Sequence, residues 1–433
     1  MCAPPSSEDT DGSQAPQSSP PANERTRNDG DDFPWDAGVC DAHCHPTDTM
    51  SSVPFIPDMG ARCLTVMSTR SQDQDLVASA AEEHGVRSLE ELSRPGSDAS
   101  DPPRKLIPAF GWHPWFSHQL YDDTGAAAAG SFDPSDPKHK AQHYASVLTP
   151  PPPPEFLAGL PAPQPLSAFL AATRARLAAH PLALVGEVGL DRAFRLPRAW
   201  ADDEAAARDG SLTPGGREGR TLSAHRVAAP HQAAVLRAQL ALAGEMGRAV
   251  SVHGVQAHGQ LYDVLRGMWK GHERRGVSAR DRKMIAKGVD EDFSSSSEEE
   301  EDDDEGGAGG GKKKMQKRVK PKPYPPRICL HSFSGPVEVM KQYTEDKRIP
   351  AKVFFSFSVC INFSTAGGEA RTPEVIRACP DDRILVESDL HTAGPRMDQF
   401  LEDMYRRVCE IKGWGLREGI ERIRRNYEEF IFG

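Results

Sequence analysis

The chain has 433 residues, enough for one large α/β barrel or two ordinary domains. Its formal net charge is −11, yet residues 290–305 alone carry eleven acidic side chains and no basic one. The remainder is close to neutral, so global charge neither favours nor excludes a phosphate-bearing ligand.

Eight cysteines show no C-x-x-C pair and no compact framework, which argues against a disulfide-stapled fold. Several fall inside apolar runs, where a free thiol packs as a small hydrophobe. No uninterrupted apolar run approaches membrane-spanning length, and the N-terminus lacks a charged-then-apolar signal pattern. The expected setting is a reducing one, cytoplasmic or nuclear, with no membrane partner.

Residues 1–36 are rich in Pro, Ser, Asp and Gly, and their composition predicts a disordered tail. From residue 37 onward, eight short apolar runs recur: Gly38–His43, Arg62–Ser68, Leu106–Trp112, Leu182–Gly189, Ala249–His253, Ile328–His331, Val353–Phe357 and Ile384–Glu387. Stretches of helical spacing separate them. These are Asp73–His84, Leu166–His180, Ala228–Met246, His258–Trp269, Val337–Tyr343, Thr372–Cys379, Met397–Lys412 and Leu416–Phe430. Strands alternating with helices imply parallel βαβ units, and eight of them predict a single (β/α)8 TIM-like barrel over 37–433, with an open α/β sheet as the alternative.

Three long inserts interrupt the pattern, at about 114–165, 200–226 and 287–326. The first contains an alanine-glycine piece and the run Pro150–Pro154. The second is rich in Gly, Asp and Arg. The third joins Ser294–Ser297 and Glu298–Glu305 to the basic cluster Lys312–Lys322. These compositions favour disorder. The basic cluster reads as a solvated loop balanced by its acidic neighbour, with a nuclear localisation signal or a phosphate patch as alternatives.

The polar residues at the ends of the apolar runs carry the functional signal. His43 and His45 close the first run in Asp41-Ala42-His43-Cys44-His45, where period-two geometry puts Asp41, His43 and His45 on one face. Glu187 lies in the fourth, His253 ends the fifth, His331 the sixth, and Glu387 and Asp389 the eighth. In a parallel barrel all these strand ends open on one mouth. Four histidines and two carboxylates (His43, His45, His253, His331, Glu187 and Asp389) are enough ligands for two ions if one carboxylate bridges. Taken singly each has a structural reading, such as an Asp389 N-cap or a Glu187 paired with a buried Arg. His113, in Gly111-Trp112-His113-Pro114, reads as a loop or substrate-pocket residue rather than a ligand.

These residues, in this order, resemble the TatD family of metal-dependent, deoxyribonuclease-like hydrolases of the amidohydrolase superfamily. The likeness runs through Asp41–His45, Gly111–Pro114, Gly186–Asp191, Gln239–Ala243, His331-Ser332-Phe333-Ser334-Gly335, Glu387–Asp389 and Asn426–Phe430. It is strongest to the fungal branch described as interacting with a tetratricopeptide-repeat subunit of the anaphase-promoting complex. The resemblance implies a TIM-like barrel with two divalent cations, Mg²⁺, Mn²⁺ or Zn²⁺. His43, His45 and Asp389 would serve one ion, His253 and His331 the other, with Glu187 shared. The implied reaction is hydrolysis of a phosphodiester, on DNA or another nucleic acid or phosphoester, by a metal-activated water that Asp389 orients or deprotonates.

Two motif departures and the inserts qualify the likeness. Val255 stands where the family typically has an Arg two residues after the fifth-strand histidine, which removes a bidentate phosphate contact. Leu390-His391-Thr392 replaces a small residue and Pro after Asp389, making His391 a candidate rim group for substrate or proton donation. The inserts lie on or near the mouth. Two further functions remain open: an amide or ester hydrolase on the same barrel, disfavoured because Glu187 stands where many such relatives bridge through a carboxylated lysine, and a catalytically weak barrel that binds a helical-repeat cell-cycle protein.

Overall fold

Each of the eight apolar runs supplies one strand in the computed structural model, which describes residues 33–93, 103–124, 132–274 and 321–433. The tail through residue 32, the acidic run and nearly all of the basic cluster lie outside the described residues. The strands of three residues or more are β1 Cys40–Cys44, β2 Cys63–Met67, β3 Leu106–Ala109, β4 Val185–Asp191, β5 Val250–Val255, β6 Arg327–Leu330, β7 Lys352–Phe357 and β8 Ile384–Val386. Almost every residue in them is buried, as expected when both faces of a parallel sheet are covered.

These strands form two parallel sheets, one in the order β1-β2-β3 and one in the order β8-β7-β6-β5-β4. At one seam a parallel bridge, Ala109↔Leu184, links β3 to the entry of β4, and Gly186 N donates to Phe110 O at 3.2 Å. At the other, β8 runs out beside β1, and Asp389 N donates to His43 O at 3.0 Å while His45 N donates to Leu390 O at 2.8 Å. The Asp41 carboxylate clasps this second seam. It accepts from Ser388 N and His43 N, both at 3.0 Å, and from Ser388 Oγ at 2.5 Å.

The helices α1 Gln74–His84, α2 Leu166–Ala179, α3 Ala229–Glu245, α4 His258–Trp269, α5 Val337–Thr344, α6 Ala366–Ala378, α7 Pro395–Lys412 and α8 Leu416–Phe432 lie close to the expected spans. α6 starts six residues early, because Thr365 Oγ1 caps Gly368 N and the helix runs on through Pro373. In α8, Ile420, Ile423, Tyr427 and Phe430 are buried at spacings of three and four, the apolar stripe of an amphipathic helix. Tyr427 Oη meets Thr65 Oγ1 at 2.8 Å and Tyr405 Oη donates to Cys40 O at 2.9 Å, so both terminal helices are tied to the strands. The seven cysteines among the described residues are free thiols, six of them buried, and no described helix is long and apolar enough to cross a membrane.

The inserts at 114–165 and 200–226 correct an expectation of disorder. Their described residues are ordered and packed. Leu148–Thr149 pairs antiparallel with Arg226–Val227, and Tyr144, Val147 and Leu148 of the first insert make a small core with Leu196 and Val227, which flank the second. The second insert is also pinned to the strand-end loops, since Thr213 Oγ1 donates to Thr47 O at 2.6 Å and Arg70 Nε to Pro214 O at 2.9 Å. The first insert read alone has too few apolar residues to bury; it packs them against Leu196 and Val227, which flank the second. Residues 33–36 of the expected tail are likewise ordered, with Phe33 and Trp35 packed on the main core.

Two outcomes test this architecture. Tyr144→Ala removes a fully buried ring and is expected to cost about 3 kcal/mol or more, read as a lower melting temperature; an insert without structure would show no change. Asp41→Ala strands the Ser388 and His43 donors and is expected to lower stability by about 1–3 kcal/mol. Urea denaturation of metal-stripped protein measures it, and an unchanged midpoint would mean the clasp does not form.

Candidate metal centre

Backbone irregularities aim the side chains. The β1–β2 register shifts between Asp41 and Cys44, and a bulge of this kind breaks the simple period-two alternation. Asp41 therefore turns to Ser388 rather than joining the histidines, as period two alone predicted. His43 and His45 still converge, with their Nε2 atoms 3.1 Å apart. A Cβ on Gly189 would lie 2.0 Å from His253 O, and one on Gly111 would lie 2.6 Å from the Gly186 carbonyl carbon. Only glycine lets β3, β4 and β5 approach closely enough to bring Glu187 beside its neighbours. Asp389 has φ +54, a left-handed conformation uncommon for a non-glycine residue, at the turn that ends β8.

Glu187 is the centre of the arrangement. Its Oε1 lies 2.8 Å from His331 Nε2, 2.9 Å from His253 Nδ1 and 3.0 Å from His113 Nε2. Its Oε2 lies 3.4 Å from Nε2 of both His43 and His45. Asp389 Oδ1 stands 3.5 Å from His45 Nε2 and 3.9 Å from His43 Nε2. The six residues predicted to converge do so, and they bring His113 with them. His113 is a direct neighbour of Glu187, closer than a pocket residue needs to be. His391 stands apart on the rim, half-exposed, with its ring stacked over His45 at 5.4 Å and its Nδ1 2.8 Å from Asp48 Oδ2.

Further groups hold the histidines in place. Asp191 Oδ2 lies 3.0 Å from His253 Nε2, and Ser251 Oγ lies 2.8 Å from His43 Nδ1. Glu387, fully buried, accepts from Ser332 N at 2.7 Å and from the Ser356 hydroxyl, and lies 3.6 Å from His331 Nδ1. The sequence reading assigned no role to Asp191, Ser251 or Glu387. Asp191 is four residues from Glu187 on β4 and Ser251 two from His253 on β5, so the period-two rule applied to every polar strand residue finds both. Glu387 was visible as a strand-end carboxylate but offered nothing to separate it from Asp389.

The electrostatics follow from burial and contact. Burial alone would raise the Glu187 carboxyl, but His113, His331 and His43 hold it well below the usual carboxylate range. Burial lowers His43, and pushes His113 down to about 4. Burial also disfavours charge on His45, His253 and His331, but facing carboxylates outweigh it. Asp389 and Glu187 raise His45 to about 9, Asp191 and Glu187 raise His253 to about 9, and Glu187 and Glu387 hold His331 well above the ordinary imidazole value. A cation entering here must displace protons from these rings.

The donor set fits divalent metal. Three groups bring ligand atoms within 4.8 Å of one another: His43, His45 and Asp389; His113, Glu187 and His253; and His43, His331 and Glu387. Metal–ligand bonds of about 2.0–2.2 Å put neighbouring ligand atoms roughly 3 Å apart, which matches the separations around both Glu187 oxygens. The third group is the weakest, because Glu387 already serves two serines.

Comparison with known proteins agrees with this chemistry. The family model described as TatD related DNase matches residues 40–432. Cut9-interacting protein scn1 of Schizosaccharomyces pombe is 34% identical over 393 residues, covering 91% of this chain and 98% of that one. The uncharacterized deoxyribonuclease YMR262W of Saccharomyces cerevisiae is 24% identical over 368 residues, covering 82% and 85%. Among solved structures, the TatD homolog YJJV of Escherichia coli has a TM-score of 0.45 at 15% identity, covering 91% of this chain and 97% of that one. A match that begins on β1 and ends in α8, taking in the whole histidine–carboxylate cluster, means that this chain belongs to the TatD-related DNase family.

Proposed function

We propose that this protein is a divalent-metal-dependent phosphodiesterase, acting on nucleic acid as a deoxyribonuclease. The two sheets are read as one eight-stranded barrel with the cluster at its C-terminal mouth. The observation that carries the proposal is the two-sided contact of Glu187, one oxygen toward His113, His253 and His331 and the other toward His43 and His45. A bridging carboxylate is what a two-ion centre needs.

His43, His45 and Asp389 would hold one ion and His253 with His331 the other, His113 standing beside the second set. The ions, when bound, supply a water of lowered pKa and a clamp for the phosphoryl oxygens. The protein's part is positional. Asp191 and Ser251 fix the ring orientations of His253 and His43, as outer partners do around metal-binding histidines. Asp389, the most open of the cluster carboxylates with its side chain 14% exposed, accepts the proton of the attacking water. His391 and Asp48 form the polar rim over His45, where a substrate oxygen would pass.

Metal-stripped protein should cleave nothing, and Mg²⁺, Mn²⁺ or Zn²⁺ should restore hydrolysis of end-labelled DNA. Failure with every metal, alongside turnover of an ester or amide panel, would replace the phosphodiesterase assignment. Asp389→Asn should lower kcat by about 10²–10⁴-fold and His253→Ala should abolish turnover, both with the native circular-dichroism spectrum. Retained activity in either removes these residues from the site. Asp191→Asn should weaken metal affinity by about 10–100-fold, read by calorimetric titration.

A second role is favoured by one observation, the whole-length likeness to a protein named for its interaction with Cut9. In this reading the chain also binds a helical-repeat subunit of the cell-cycle machinery, through the acidic and basic insert. Pull-downs comparing the full chain with a deletion of residues 288–322 test it, and equal partner recovery would clear the insert of that role.

A further inference from the structure

A groove that shares no residue with the histidine–carboxylate cluster lies between the segment Met50–Asp58, which follows β1, and the start of α7. It encloses about 420 Å³. Trp35, Phe55 and Met59 make its apolar walls, and Asp58, Asp398 and Glu402 supply its charge. No described lysine or arginine lines it. Phe55 is 54% exposed, one of three large apolar side chains left so open among the described residues. An isolated open ring is an ordinary surface feature; this one edges a cavity with carboxylates in it.

The groove is held in shape by the fold. A Cβ on Gly60 would lie 2.7 Å from Trp35 Cδ2, so the indole seats against bare backbone. Asp398 fixes that turn by accepting from Gly60 N at 2.7 Å and Ala61 N at 3.1 Å, and Phe33 meets Trp35 edge-on at 4.7 Å. The charge is only partly answered. Glu402 pairs with Arg406 at 2.9 Å. Lys105 donates to Met59 O and attracts Asp58 and Asp398 from there, but neither carboxylate forms an ion pair with a described residue.

An aromatic wall beside carboxylates suits an arginine or lysine, whose head takes the charge and ring contacts while its stem lies on apolar surface. A cavity of this size admits one or two side chains of an extended segment rather than a folded face. The chain's own first 32 residues, which lead directly to Phe33, carry seven acidic side chains and two basic ones, the wrong sign for this site.

We infer that the groove docks an extended basic segment of a partner protein, with an arginine or lysine held by Trp35, Asp58 and Asp398 and an adjoining apolar side chain against Phe55 and Met59. This interaction surface depends on neither the metal centre nor the acidic and basic insert, so the failure of either reading leaves it standing.

The test exposes the full chain to an array of Gly-Ser peptides in which arginine, lysine, glutamate or serine stands beside leucine, phenylalanine or serine. Arginine or lysine next to leucine or phenylalanine should be retained, and the strongest such peptide is then labelled and titrated by fluorescence anisotropy. Asp58→Lys and Phe55→Ser, both at exposed positions, should each weaken it by about tenfold or more, with unchanged thermal melts. Added salt should weaken the wild-type complex. Retention of no basic-apolar peptide, or of acidic ones equally well, overturns the proposal, as does equal affinity in wild type and both variants. Serine-flanked arginine bound as tightly as leucine-flanked arginine reduces the groove to a charge patch and also overturns it. Tighter peptide binding after deletion of residues 312–320 would give the groove to the chain's own basic cluster, and a dimer dissolved by Phe55→Ser would give it to a second copy; either result removes the partner segment as its occupant.

Discussion

A carboxylate buried among five imidazoles persists only if its charge is answered from every side, and Glu187 is in that position. Removing a carboxylate from water without partners costs several kcal/mol or shifts it to the neutral acid. Here the surrounding rings keep it ionised, and the rings in turn are anchored to Asp191, Ser251, Glu387 and Asp389. The centre is therefore a network in which no member is optional, and its assembly depends on strands that approach more closely than side chains at Gly111 and Gly189 would allow.

The rest of the molecule serves that closeness. Buried apolar strands pack against amphipathic helices, and the last two helices return to β1 and β2 through the hydroxyls of Tyr405 and Tyr427. The seam between β8 and β1 is where one candidate ligand group assembles, since His43 and His45 arrive from one side and Asp389 from the other. Asp41 holds that seam. Period two put it on the face of His43 and His45; its contacts make it a brace. The distinction is a matter of backbone register, because a bulge after Asp41 sends its carboxylate to Ser388.

The inserts illustrate the other direction of coupling. Pro-rich and Gly-rich segments were expected to be structureless because neither buries enough apolar surface alone. The first insert instead packs against residues flanking the second, and the second reaches the strand-end loops, where Arg70 joins Asp48, Asp73, Thr213 and Pro214 in one polar knot. Asp48 in turn holds His391 over His45. The rim is thus shaped in part by a segment whose composition suggested no structure.

Sequence alone determined the count and order of the strands, the positions of most helices and the identity of six residues that converge. It could do so because burial on both faces leaves continuous apolar runs, and because active-site residues of a parallel barrel sit at the ends of those runs. His113 read as a pocket residue, and Asp191, Ser251 and Glu387, in or just beside the same runs, were given no role. Which polar strand residue faces a ligand and which faces a neighbouring loop is settled by distances of a few ångströms between strands far apart in the chain. The turn of Asp41, the packing of the first insert against Leu196 and Val227 and the two-sided contact of Glu187 came only from tertiary structure, for the reason that each is a relation between segments and none is a property of one.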